Sequence, residues 1–75
     1  MDEGYILSNK FRRIIFNEFV SGEKNINRIA KKNRIVIGIV KKIVDDFIIG
    51  GIVEKTGDNY SLTKKGEKLI DSVVK

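Results

Sequence analysis

The chain has 75 residues, 41% of them hydrophobic, and a net charge of +5, which fits one small packed domain over residues 1–75 and is too apolar for a disordered tail. It has no cysteine and no histidine, so disulfides, the usual zinc-finger ligand sets, thiol nucleophiles and imidazole bases are excluded, and no cofactor or metal is expected. The longest apolar runs, residues 35–40 and 47–53, fall far short of the roughly 18 residues that span a bilayer, and the opening Met-Asp-Glu-Gly carries acid where a secretory leader carries base, so the expected location is the cytoplasm.

Residues 8–20 place Phe11, Ile14, Ile15, Phe16, Phe19 and Val20 at spacings of three and four, which predicts a helix buried on a wide face, with Ser8 as N-cap and Ser21-Gly22 as its stop. Asn25 then caps a short second helix that turns Ile26, Ile29 and Ala30 inward and Asn27, Arg28, Lys31 and Lys32 outward. Asn33-Arg34 reads as the turn that ends it. Residues 35–49 begin with a β-branched run that would suit a strand, yet Val36, Val40, Ile43, Val44 and Phe47 share one helical stripe, and Lys41, Lys42, Asp45 and Asp46 oppose it in i, i+4 pairs. This predicts a third helix, stopped by Gly50-Gly51. Two short runs about Gly57-Asp58-Asn59, within residues 52–62, predict a β-hairpin. Thr63 then caps a last helix whose apolar face is Leu69, Ile70, Val73 and Val74.

The charge is unevenly distributed. Residues 10–42 hold ten cations against Glu18 and Glu23, whereas residues 43–58 hold Asp45, Asp46, Glu54 and Asp58 against Lys55. A basic block of that density inside a folded domain is the footprint of a polyanion binder, although an ordinary solvated surface would carry the same residues. Asp45 and Asp46, adjacent on a helix, point to different sides and cannot work as an acid and base pair, so the sequence reads as non-enzymatic.

Helix, helix, turn, helix, hairpin, helix is an α+β, mostly α order. Ile29-Ala30-Lys31-Lys32, Ile35, Val40-Lys41-Lys42-Ile43-Val44, Phe47, Gly51-Ile52-Val53-Glu54-Lys55 and Leu62-Thr63-Lys64-Lys65-Gly66 together resemble the winged helix-turn-helix domain of MarR-like prokaryotic and archaeal transcriptional regulators. The resemblance covers roughly residues 13–70. It implies a double-stranded DNA binder whose third helix, residues 34–49 with its leading turn residue, enters the major groove while the wing at residues 52–62 lies on the backbone. Carried over, it places Ile37, Gly38, Lys41, Lys42 and, at the far end, Asp45 at the groove, Lys31 and Arg34 at phosphates, and Lys55 and Asn59 on the wing. Three features depart from the family pattern. Val36, Ile37 and Gly38 stand where Ser or Thr usually begins the reading helix, Ile37, Ile48 and Ile49 lie on or near a face expected to be wet, and the wing tip carries Asp58.

The alternative is a winged helix used as a protein-binding module, with Ile37, Ile48 and Ile49 in the interface. Lys41 and Lys42 could equally form a solvated face paired with Asp45 and Asp46, and Tyr60 reads as a packing residue, since one aromatic makes no stacking platform. A homodimer is expected through Leu69, Ile70, Val73 and Val74, because small modules of this kind gain affinity by two-fold pairing.

Overall fold

The apolar stripe of residues 11–20 does form a helix, but in the computed structural model, which describes residues 3–73, a short helix precedes it. Helix α1 spans Glu3–Leu7 and α2 spans Lys10–Val20. Asn9, not Ser8, is the cap of α2: its backbone is extended and its side-chain oxygen accepts from Phe11 N and Arg12 N at 2.9 and 3.1 Å. Ser8 belongs to the end of α1 instead, where its N–H meets Gly4 O and its hydroxyl donates to Tyr5 O. Ile15, Phe16 and Phe19 of α2 are buried, whereas Phe11, expected inward, lies in the first turn and is exposed.

Helix α3 spans Ile26–Asn33 with Asn25 as its cap, accepting from Asn27 N and Arg28 N, and its buried residues are the expected Ile26, Ile29 and Ala30. Helix α4 spans Ile37–Ile49, two residues shorter at its start than the sequence predicts. Ile35 is buried in the turn, with its N–H bonded to Ala30 O at 2.9 Å. Val36 is the N-cap residue, with φ −57° and ψ 132°, and is 68% exposed, so it does not join Val40, Ile43, Val44 and Phe47 on the buried stripe. A residue outside the helix does not follow the helical angle, and Ile35 takes the inward place.

Strands β1 (Val53–Thr56) and β2 (Asn59–Leu62) pair antiparallel, Val53 opposite Leu62 and Thr56 opposite Asn59. The turn is therefore Gly57-Asp58 alone, and Asn59 is the first residue of β2 rather than part of the tip. Tyr60 N donates to Lys24 O, which ties the hairpin to the loop ahead of α3. The predicted last helix is two short ones, α5 (Lys64–Lys68) and α6 (Ile70–Val73), broken at Leu69. Thr63 caps α5 as predicted: its hydroxyl accepts from Gly66 N and donates to the carbonyls of Gly51 and Ile52.

The core lies between α2, α4 and the base of the hairpin. Phe16 and Phe47 meet edge to face with ring centroids 6.4 Å apart, the arrangement that aromatic quadrupoles favour. Ile6, Ile15, Ile29, Val40, Val44, Ile52 and Val53 close around them. Gly66 is where α5 presses on the hairpin base, and a Cβ there would collide with the Ile52 carbonyl and crowd the side chains of Ile52 and Leu62. The architecture is thus α+β and mostly helical, with one two-stranded antiparallel hairpin among the described residues.

Candidate nucleic-acid interface

Two helices and the turn between them carry the basic block. On α3, Lys31 and Lys32 occupy the last turn, Arg34 follows in the connection, and Lys41 and Lys42 lie about one turn into α4. All five are exposed, because the buried stripes of both helices, Ile26, Ile29 and Ala30 on α3 and Val40, Ile43, Val44 and Phe47 on α4, point the other way. Their electrostatic states differ. Lys32 reaches back to Glu18 at 3.2 Å, Lys42 pairs with Asp46 at 3.1 Å, and Arg28, one turn earlier on α3, pairs with Glu23 at 3.4 Å. Lys31, Arg34 and Lys41 form no ion pair among the described residues. The sequence pairs Lys41 with Asp45; the structure holds only Lys42 with Asp46, and Tyr5 also donates to that Asp46 carboxylate, at 3.3 Å.

Acidic neighbours decide which cations are left free. The Glu23 carboxylate accepts from the backbone N–H groups of Asn25 and Lys24, and these bonds, with Arg28 and Lys32 nearby, hold it below the usual carboxylate range. Arg28 pairs with this carboxylate, which belongs to the loop ahead of α3. Glu18 is buried, and accepts from Lys32 Nζ and from Asn33 Nδ2 at 2.7 Å.

Arg34 stands in an uncommon backbone state, with φ 55° and ψ 41°. That left-handed conformation reverses the chain after α3 and aims α4 across it. Val36 supplies no side-chain cap to α4, so the first N–H groups of that helix depend on solvent or a ligand. Gly38, in the first turn, is exposed, and nothing lies within 4 Å of where its Cβ would be.

The wing contributes less. Lys55 is exposed, with its ammonium 5.8 Å from the Tyr60 ring opposite, and Asn59 is exposed beside the acidic tip. Tyr60 is half-buried against the core, as its packing reading expects. Of the isoleucines proposed for a protein interface, Ile37 and Ile48 are partly buried against the core and only Ile49, 84% exposed, stands fully outward. Leu69, Ile70 and Val73 are likewise half-covered by the chain's own core, and Val74 lies outside the described residues.

Sequence reasoning missed α1, the exposure of Val36 and Ile39, and the left-handed Arg34. Only the last had a signal: a turn was expected there, at a helix end where glycine is common. Compared with protein-family models, curated proteins and solved structures, the chain matches none. No group of metal-ligating side chains occurs among the described residues, and none of their helices is long and apolar enough to cross a membrane.

Proposed function

We propose that the chain is a winged helix-turn-helix module of the MarR-like kind that binds double-stranded DNA as a small transcriptional regulator. In this reading α3 and α4 form the helix-turn-helix, α4 lies in the major groove, and the β1–β2 hairpin is the wing on the backbone. The observation that carries it is the placement of Lys31, Arg34 and Lys41. They are exposed around the α3–α4 turn and without ion pairs among the described residues, while the neighbouring Arg28, Lys32 and Lys42 are each held by a carboxylate. Free cations grouped at the mouth of a helix-turn-helix suit phosphates on either side of a groove, and Lys42, in an exposed pair worth only about 0–1 kcal/mol, can exchange Asp46 for a phosphate.

Titration of fluorescent random-sequence duplex at two salt concentrations tests this. Affinity is expected to fall steeply with salt, because phosphate binding releases condensed counterions. Lys41→Ala with Lys42→Ala should leave the fold intact, weaken binding, and flatten the salt dependence by roughly one unit of slope per lost phosphate contact. Lys55→Ala, beside the acidic tip, should do less. Unaltered binding by the double variant, together with loss of binding on Lys55→Ala, would remove α4 from the reading position.

A further inference from the structure

Helix α4 is poorly equipped to read bases by hydrogen bonds. Its sequence from Ile37 to Ile49 contains no Asn, Gln, Arg, Ser or Thr, the side chains that with lysine and the carboxylates make most base-specific contacts in the major groove. Lys42 is shared between Asp46 and phosphate, and an outward Asp45 is repelled by phosphate. What the exposed start of the helix offers instead is apolar. Val36 is 68% exposed and Ile39 is 39% exposed. Gly38 lies between them in sequence, and a Cβ built there would face open space. No internal contact calls for that glycine, and alanine would be the better helix former, so its bare backbone is where a second surface can approach α4 most closely.

The surroundings restrict what that surface is. Lys31 at the end of α3, Arg34 in the turn and Lys41 one turn into α4 have no carboxylate partner among the described residues, which complements a polyanion. The one apolar group that a base pair presents in the major groove is the C5 methyl of thymine. Valine and isoleucine are stiff at χ1, so little side-chain freedom is lost when they pack on a methyl.

We infer that the apolar start of α4, formed by Val36, Gly38 and Ile39, recognises thymine methyl groups, making A·T-rich duplex the preferred substrate. This rests on the DNA-binding reading above and assigns its specificity to methyl contact, with Lys31, Arg34 and Lys41 on phosphates.

The test compares A·T-rich duplexes of one sequence carrying either thymine or uracil, which differ only in the methyl. A G·C-rich duplex with cytosine or 5-methylcytosine, whose methyl lies on the same groove edge, forms the second pair. Thymine duplex is expected to bind more tightly than uracil duplex by roughly fourfold per contacted methyl, with the same salt slope, and methylated cytosine more tightly than plain cytosine. Val36→Ser with Ile39→Ser should erase both differences and keep the salt slope, with a thermal melt showing that the exposed changes leave the fold intact. Equal affinity for thymine and uracil duplexes with a normal salt slope would overturn methyl reading while DNA binding stood. A methyl preference that survived the double serine variant would overturn the assignment to these residues. Failure to bind any duplex would remove the DNA reading itself, and this inference with it.

Discussion

Arg34 stands where α2 and α4 use glycine at their ends. After α2, Gly22 N bonds Phe19 O and Glu23 N bonds Glu18 O, and after α4, Gly51 N bonds Ile48 O and Ile52 N bonds Phe47 O, the paired closure in which a left-handed residue ends a helix. Gly22 and Gly51 have φ of 99° and 76°. After α3 the same bond runs from Ile35 N to Ala30 O, but the left-handed residue is an arginine. A β-carbon in this region costs about 1 kcal/mol or somewhat more, and the exposed Arg34 side chain makes no ion pair among the described residues that would offset it. Arg34→Gly is therefore expected to leave stability unchanged or raise it by up to about 1 kcal/mol in urea unfolding, the relief being partly cancelled by the greater freedom of glycine in the unfolded chain. The same change should weaken duplex binding and lower the salt slope. A clear loss of stability would show instead that the guanidinium holds the fold. Asn25 and Thr63 were legible as caps because each precedes its helix with no competing candidate, whereas Ser8 and Asn9 are adjacent and equally good caps. Only the presence of α1, which consumes Ser8, decides between them.

Among the elements, α2 and α4 were legible because each carries about three turns of apolar periodicity or more, α3 because its two turns follow a clear cap at Asn25, and the hairpin because its turn residues interrupt two short runs. Helix α1, five residues long, is too short for a period to show. The break at Leu69 has no local signal either, since no proline or glycine marks it and residues 64–73 read as one amphipathic stretch. Crossings between elements were not legible at all, and Glu18 is the instance with consequences. In the sequence it is one carboxylate in a helix; in the fold it is buried where α3 crosses α2, holding Lys32 Nζ and Asn33 Nδ2. Asn33 Nδ2 also donates to Ile29 O, so one side chain fastens the end of α3 to α2 just ahead of the left-handed turn. Glu18→Ala should destabilise the domain by about 1–3 kcal/mol, the range for removing a charged hydrogen-bond partner from a partly buried site. Chemical denaturation measures this, with Glu18→Gln expected to fall between the two because it keeps one acceptor oxygen. A midpoint unchanged in Glu18→Ala would mean that the α2–α3 crossing is held by apolar packing alone.

For the whole molecule, the question is how one such module would hold a DNA site. A single helix-turn-helix of this size reads one half-site, and two-fold pairing places two reading helices about 10–10.5 base pairs apart on one face of the duplex. The sequence put the pairing surface on Leu69, Ile70, Val73 and Val74, but Leu69, Ile70 and Val73 are half-covered by the chain's own core, because α1, unseen in the sequence, packs against α6. Part of the apolar surplus is thereby used within the chain. What remains outward near the terminal elements is Leu7 at the end of α1 and Phe11 at the start of α2, each 38% exposed. A homodimer built on these terminal elements would keep the α3–α4 turn free for DNA. It predicts that sedimentation at high micromolar concentration shows a dimer, or that two chains assemble on a duplex carrying two half-sites and one chain on a duplex carrying one. Leu7→Ser with Phe11→Ser should weaken pairing, at a cost to monomer stability of about 1–3 kcal/mol because each side chain is more covered than exposed. Binding to a single half-site should survive that change while tight binding to the two-fold site is lost. A protein that sediments as a monomer throughout, and binds both duplexes with one affinity per half-site, would leave the terminal elements with no role in assembly.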